Sequence, residues 1–485
     1  MICIPITSCT TEAALEGIRQ AEETADILEL RIDYLVDPDL SRILKTRRLP
    51  VIVTNRRAGE GGKYEGSEVE RLSILEEAVS LGAEHIDLEW SCGAETIYRF
   101  KELIRGTKTR LICSWHDFRG TPQDLTELYL SMRSMGVDIV KIVTMANAIH
   151  DNVKIFDLVY RAWEDKQDII ALCMGAYGEI SRILTPLLGS YLTFGSLQEG
   201  KESAPGQIEA RILRDIYRIP ELEGSDFHLY GLVGNPVNQS KGFRLHNRAF
   251  QHLGLDKIYV NFLVDEVTSF IQSFKGYISG LSVTMPHKQS IMNCLNRIDP
   301  LAQRIGAVNT VVKKGGSLIG YNTDCMGAIQ AIEAVIPLEK KKVTLLGAGG
   351  VSRAVAWGVV DRGAILTILN RTVSKAQELA GELGCQAGSL EESRSLDCDL
   401  LINGTSIGMA PQIDEMPIPD SSLKSEMVVF DTIYNPAQTR LLREAQARGC
   451  RTISGLEMFL YQAAAQFNLW TGLPAPIEIM RSALG

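Results

Sequence analysis

The first ~220 residues alternate short apolar runs with longer stretches whose apolar residues recur at helical spacing, the rhythm of repeated strand–helix units. Eight apolar runs predict strands, at 2–6, 25–30, 50–54, 85–88, 110–114, 137–143, 169–174 and 191–194. Between them, 68–81 and 125–135 read as amphipathic helices. Eight such units suit a small (β/α)8 barrel, a fold whose size range begins at roughly 200 residues. An open doubly wound sheet is the alternative. The segment 218–225 is polar, contains Pro and Gly, and reads as a short linker. The rhythm restarts at 227–233 and again at 342–346, with no repeat, heptad or low-complexity tract.

One position breaks the pattern. Lys141 sits inside Asp138-Ile-Val-Lys-Ile-Val-Thr144, otherwise a buried strand. A charged amine costs several kcal/mol to bury unless it is paired or gives up its proton. Upstream, Arg110-Leu-Ile-Cys-Ser114 runs into Trp115-His116-Asp117-Phe118, so an imidazole follows the preceding strand. A desolvated lysine beside a histidine suits Schiff-base chemistry with proton transfer. A surface lysine on an edge strand is the competing reading.

Composition narrows the class. A chain of 485 residues with 45% hydrophobic and 22% charged content fits two or three ordinary globular domains. The net charge of −9 argues against nucleic acid as the main partner, so an anionic substrate must be held by local basic groups. No apolar stretch reaches membrane-span length, and no basic segment followed by an apolar core opens the chain. The ten cysteines are scattered without a C-x-x-C pair, which fits reduced thiols in a cytoplasmic protein rather than disulfides or a zinc site. Cys113, Cys173 and Cys294 read as core.

In a barrel, catalytic groups come from the C-terminal ends of the strands. Polar residues stand there repeatedly. Glu29 and Arg31 end the second strand, Arg56 follows the third, and His116 follows the fifth. Lys141 lies in the sixth, Arg182 in the loop region after the seventh, and Ser203-Ala-Pro-Gly-Gln207 after the eighth. Each alone reads as a solvated loop charge; together they define one mouth. The motifs Glu-Leu-Arg-Ile-Asp33, Thr54-Asn-Arg-Arg-Ala-Gly-Glu-Gly-Gly62, Ser114-Trp-His-Asp-Phe118, Asp138-Ile-Val-Lys-Ile142, Ile-Ser-Arg182 and Ser203–Gln207 resemble type I 3-dehydroquinate dehydratase, in order over most of 1–219. The resemblance implies an imine between Lys141 and the ketone of 3-dehydroquinate. It gives His116 the roles of general base and then acid, with Glu60 orienting it. Arg182 holds the substrate carboxylate, and Glu29, Arg31, Arg56, Ser203 and Gln207 bind hydroxyls or support a closing loop. Met174 packs against the ring. No metal is implied, and no ligand cluster is visible.

In the second half, Val343-Thr-Leu-Leu-Gly347-Ala348-Gly349-Gly350-Val-Ser352-Arg353 reads as strand, glycine turn and helix, a cradle for a pyrophosphate. The fingerprint is imperfect, because Ser352 holds its third glycine position. The next strand, 364–369, ends in Asn370-Arg371-Thr372, with Lys375 nearby. Basic groups there suit the 2′-phosphate of NADP, where an acid would suit NAD. A solvated helix start is the bland reading.

Further motifs are Leu281-Ser-Val-Thr284-Met-Pro-His-Lys288, Gly306-Ala-Val-Asn309-Thr310, Gly320-Tyr-Asn-Thr-Asp324, Asn403-Gly-Thr405-Ser-Ile-Gly-Met409, Asp431-Thr-Ile-Tyr434-Asn-Pro436 and Gly455-Leu-Glu-Met458-Phe-Leu-Tyr-Gln462. These are similar to shikimate dehydrogenase across roughly 228–485. The resemblance implies Lys288 and Asp324 as the catalytic pair, the lysine passing a proton to the ketone oxygen as hydride arrives. Ser240, Thr284, Asn309, Tyr434 and Gln462 would bind substrate. Gly347, Ala348, Gly349, Gly350, Asn370, Arg371, Thr372, Lys375, Thr405, Gly455 and Met458 would line the NADP site. A helix N-cap is the structural alternative for Asp324, since 326–334 reads helical. In Ser240-Lys-Gly242-Phe243-Arg-Leu-His246-Asn247, Gly242 and Phe243 replace the family's second serine and its proline, and Ser282 replaces a common asparagine. Those departures bear on the choice between shikimate and quinate.

The expected architecture is a barrel over 1–219, a substrate-binding domain over 226–325 completed by 456–485, and a Rossmann-like NADP domain over 326–455. The whole resembles the bifunctional dehydroquinate dehydratase–shikimate dehydrogenases, acting on 3-dehydroquinate, 3-dehydroshikimate and shikimate. A quinate-directed catabolic enzyme and a catalytically silent metabolite sensor are the alternatives.

Overall fold

The apolar runs of the first half become β1 (Ile2–Ile6), β2 (Ile27–Arg31), β3 (Val51–Thr54), β4 (His85–Glu89), β5 (Arg110–Asp117), β6 (Ile139–Met145), β7 (Asp168–Met174) and β8 (Thr193–Ser196) in a computed structural model that describes residues 1–484. The strands pair in sequence order from β7 back to β1, and β1 then pairs with β8, every ladder parallel. The Tyr191 amide donates to the Ile169 carbonyl at 2.7 Å, joining the entry of β8 to β7. One buried cluster draws Cys3, Ile27, Ile52, Ile112, Ile139, Ile170 and Phe194 from seven strands, as the inside of a closed barrel requires. The barrel reading therefore holds and the open sheet does not.

Details depart from expectation. A ninth strand, β9 (Ile208–Glu209), adds to β8. The fifth strand continues through His116 to Asp117, because β6 pairs with it all the way. Arg182 stands on the helix Glu179–Leu188, not in a loop. The presumed linker holds a helical turn, Ile219–Leu222, whose first turn carries a proline and whose Ile219 and Leu222 are buried. Cys294 is half-buried, whereas Cys113 and Cys173 are core. The same unit takes in Asp256–Tyr277, including β11 (Lys257–Leu263).

A second unit contains the remainder of the described chain. In it, β10 (Leu229 onward in His228–Gly234), β12 (Ile278–Val283), β13 (Arg297–Ile298), β14 (Thr310–Lys314) and β15 (Ser317–Tyr321) lie in one sheet in the order β10-β12-β14-β15-β13. Six parallel strands form another: β16 (Lys342–Leu346), β17 (Ile365–Asn370), β18 (Gln386–Ser389), β19 (Leu400–Asn403), β20 (Val428–Asp431) and β21 (Arg451–Ile453). Their order, β18-β17-β16-β19-β20-β21, is the doubly wound dinucleotide arrangement. Successive residues serve opposite faces. Leu345, Ile368, Ile402 and Phe430 pack with helices Thr323–Glu333 and Gly350–Asp361. Leu346, Leu369, Leu401 and Val429 pack with helix Arg440–Ala447.

Candidate active sites

Inside the barrel Lys141 is buried, and the surface-lysine reading fails. Its Nζ donates to Asp87 Oδ2 at 2.9 Å and Glu29 Oε1 at 3.4 Å, and lies 4.7 Å from the centre of the Phe194 ring. Arg56 bonds Asp87 Oδ1 at 2.9 Å and Ser114 Oγ at 2.6 Å, with Glu89 3.8 Å away. Burial alone pushes the Asp87 carboxyl up, but Arg56 and Lys141 outweigh it and hold the carboxyl below its usual range. Two carboxylates and a hydroxyl thus pin two cations, Lys141 on β6 and Arg56 just beyond β3.

His116 stands two residues beyond the partner of Lys141 in the β5–β6 register, where Ser114 faces Lys141. Its Nδ1 is shielded from solvent and has no hydrogen-bond partner. Desolvation first, then the Arg56 and Lys141 charges, push its pKa well below the ordinary imidazole value. The ring stacks parallel to Phe118, with centroids 6.0 Å apart. Gly61 approaches that Phe118 so closely that a Cβ would lie 2.4 Å from it, which brings the Glu60 loop alongside. The Glu60 carboxylate accepts from the Ser91 hydroxyl, however, and the expected hold on His116 Nδ1 is not made.

Arg182 is the unusual cation. It is 1% exposed, pairs with no carboxylate among the described residues, and donates only from its Nη2, to the Pro205 carbonyl at 3.1 Å. Burial lowers its pKa to about 10. An unpaired buried guanidinium is poised for an anion. Arg31, in contrast, is taken up by a forked bond to Asp33 at 2.9 and 2.7 Å. Ser203 and Gln207 bond each other, at 2.7 and 3.0 Å. Met174 is buried in the barrel interior. The sequence reading missed Asp87, Glu89 and Ser114. Its signal was His85-Ile-Asp-Leu-Glu89, where two acids share one face of a buried strand.

In the second unit Lys288 Nζ donates to Asp324 Oδ2 at 2.6 Å. Asp324 is not the helix cap. Asn322 is, accepting from the Cys325 amide at 3.1 Å, and the helix starts at Thr323. Tyr434 stacks on Phe459 and feels the Lys288 and Asp324 charges; burial raises its phenol pKa, against the pull of Lys288 and with a smaller push from Asp324. Gln462 reaches this region because Gly327, on the Asp324 helix, lets helix Gly455–Thr471 approach; a Cβ there would stand 2.6 Å from the Gln462 amide. Thr284 and Ser240 lie half-buried in their loops, Ser240 Oγ accepting from the Gly242 amide at 3.2 Å.

Asn309 Oδ1 accepts from the Thr323 amide at 2.7 Å, from Thr310 Oγ1 at 2.9 Å and from Thr323 Oγ1 at 3.1 Å. A backbone amide can only donate, so the oxygen is fixed inward and the NH2 group is left for a ligand. Gln466, also missed, links Ser282 Oγ to Thr310 Oγ1, which accounts for Ser282.

The glycine turn fits a dinucleotide. Gly347 has φ 101°, a conformation that favours glycine, and its Cβ would crowd Gly404. Around Gly349 and Gly350 a Cβ would meet nothing within 4 Å, leaving open space at the N-terminus of a 12-residue helix. Ser352 replaces the third glycine because its Oγ donates to the Gly404 carbonyl at 3.0 Å. Arg371, Thr372 and Lys375 are exposed beyond β17, and neither cation has an ion-pair partner among the described residues. Asn370 Nδ2 donates to the Thr372 carbonyl at 2.9 Å. Gly455 packs against the Ile433 carbonyl and Met458 lies in the core, so both have packing reasons of their own. No group of acids, cysteines and histidines suited to a metal occurs among the described residues.

Comparisons with known proteins agree with this geometry. The Type I 3-dehydroquinase family matches residues 2–223. The Shikimate dehydrogenase substrate binding domain matches 232–311, Shikimate / quinate 5-dehydrogenase 330–431, and the Shikimate 5′-dehydrogenase C-terminal domain 455–484. A bifunctional 3-dehydroquinate dehydratase/shikimate dehydrogenase of Arabidopsis thaliana, chloroplastic, is 41% identical over 99% of this chain and 83% of its own length. An NADP(+) shikimate dehydrogenase of Bacillus cereus is 44% identical over 52% of this chain and 96% of its own. The crystal structure of shikimate 5-dehydrogenase from Thermus thermophilus with NADP(H) and shikimate superposes with a TM-score of 0.50 at 35% identity, covering 53% of this chain and 98% of that one. The chain belongs to the family of bifunctional 3-dehydroquinate dehydratase/shikimate dehydrogenases.

Proposed function

We propose that the chain carries out two consecutive reactions, dehydration of 3-dehydroquinate to 3-dehydroshikimate in the barrel and NADPH-dependent reduction of that product to shikimate in the second unit. The observation that carries the first is Lys141, an amine buried among carboxylates inside a closed barrel, one strand from His116. Its attack on the substrate ketone gives an imine whose positive charge acidifies the adjacent C–H. His116, kept neutral by its surroundings, takes that proton and returns one to the departing hydroxyl. Arg182 holds the carboxylate with the hydrogen-bonding capacity it has left. Glu29, Asp87 and Arg56 set the direction of the lysine, and Glu60 reaches His116 when its loop shifts off Ser91.

In the second unit NADPH, when bound, supplies the hydride. Lys288 delivers the proton to the ketone oxygen, Asp324 holds the lysine, and Asn309 offers its NH2 group with Ser240, Thr284, Tyr434 and Gln462 beside it. Gly347, Ala348, Gly349, Gly350 and Thr405 receive the pyrophosphate end of the cofactor, and Asn370, Arg371, Thr372 and Lys375 the 2′-phosphate. No helix among the described residues is long and apolar enough to cross a membrane, and all ten cysteines are unpaired, which supports a reducing, cytoplasm-like compartment.

Borohydride added during turnover of 3-dehydroquinate is expected to fix a substrate-derived mass on the peptide carrying Lys141, and Lys141→Ala to abolish both label and dehydration. Full dehydration without any trapped lysine would end the imine mechanism.

A further inference from the structure

A buried acid outside both catalytic pairs stands between the cofactor and substrate loops of the second unit. Asp431 ends β20 with no exposed surface, and no lysine or arginine pairs with it among the described residues. A buried carboxylate without a counter-ion is costly. Its compensation is three hydrogen bonds. Oδ1 accepts from Asn403 Nδ2 and from the Ile433 amide, both at 3.1 Å, and Oδ2 accepts from Thr439 Oγ1 at 2.6 Å.

The first bond turns the Asn403 amide so that its Oδ1 receives the Thr405 amide at 3.0 Å and the Thr405 hydroxyl at 2.7 Å. The Thr405 hydroxyl accepts in turn from the Ile407 amide at 3.2 Å. The second bond fixes the backbone immediately before Tyr434. Both loops are also tied directly. Thr432 donates from its amide and its hydroxyl to the Asn403 carbonyl, and the Ala410 amide donates to the Asn435 carbonyl at 3.2 Å.

We propose that Asp431 is a positioning residue that makes the Thr405 loop and the Tyr434 loop a single element, so that the nicotinamide dinucleotide and the cyclic hydroxy acid tighten each other's binding. The inference rests on the dehydrogenase reading of the second unit. Coupling of this kind is reciprocal and commonly amounts to about 5- to 150-fold in affinity.

NADPH and shikimate are both reduced and do not react, so the coupling is measurable at equilibrium in the full-length protein. NADPH fluorescence titrations with and without saturating shikimate are expected to differ by at least about fivefold. Asn403→Ala cuts the arm from Asp431 to Thr405 and leaves the Ile433 bond in place. It is expected to bind shikimate alone with parental affinity, shown by calorimetry, while the enhancement falls well below the parental value, since only the direct ties between the loops remain. Asp431→Asn keeps an acceptor for Asn403 and Ile433 and is expected to retain the enhancement. Parental protein without enhancement, or Asn403→Ala with full enhancement, overturns the proposal. Parental protein that binds no NADPH overturns the dehydrogenase reading as well, which distinguishes the two failures.

Discussion

Burial, with the Arg56 and Lys141 charges, keeps His116 neutral beside the Lys141 amine. With neutral His116 as the proposed proton acceptor, dehydration is expected to decline as pH falls through its pKa, which is depressed by burial, Arg56 and Lys141. The acid limb of kcat/KM for dehydration is therefore expected below the ordinary imidazole value near 6.5. Removing one of the two cations in Arg56→Met should raise the limb, measured as the pH profile of kcat/KM. Lys141 was legible because a lysine interrupts an apolar strand. Asp87 offers the same kind of signal, yet His85-Ile-Asp-Leu-Glu89 ends at the barrel mouth, where acids are unremarkable until their partners are known. The bond between Glu60 and Ser91 could not be read at all, because it depends on how a glycine-rich loop settles against Phe118.

At the scale of elements, the eight barrel strands were legible to within about two residues, except at the end of β5, because parallel strands are buried on both faces and read as unbroken apolar runs. Boundaries failed where polar residues carry structure. The Asp324 helix begins earlier than its apolar pattern suggests, since Asn322, Thr323 and Asp324 are all cap-type residues in succession and only the geometry selects Asn322. The crossing of that helix with Gly455–Thr471 depends on Gly327. Gly327→Ala forces backbone apart at the Gln462 amide and Met458 carbonyl, an overpacking cost of about 1–3 kcal/mol. Urea unfolding followed by a probe in the second unit should register that loss, with ketone reduction falling and dehydration retained.

For the whole molecule, the two units keep separate chemistry. Asp324→Asn is expected to reduce NADPH-dependent turnover by at least about a hundredfold while dehydration stays at its parental rate, measured in separate assays on one preparation. Stability responds to acid through a residue remote from both mechanisms. His85 is buried, bonds the Tyr191 hydroxyl at 3.0 Å, and has its pKa lowered to about 4 by desolvation and then Arg110. Below pH 6.5 the unfolded chain takes up a proton that the folded barrel refuses. The stability held above that pH is therefore lost as pH falls toward 4, by about 3 kcal/mol for a shift of this size. Denaturant melts of the parent and His85→Gln between pH 7 and 4 should converge as the pH drops.

Arg371 and Lys375 are exposed, and neither has an ion-pair partner among the described residues. Attraction between such exposed charges and a phosphate weakens over a Debye length of about 8 Å at physiological ionic strength. On the proposed seat of the 2′-phosphate against these two cations, preference for the phosphorylated over the unphosphorylated nicotinamide cofactor is expected to depend on the medium as much as on the fold. It should shrink steadily from dilute buffer to molar potassium chloride, read as the ratio of kcat/KM for the two cofactors at each salt concentration.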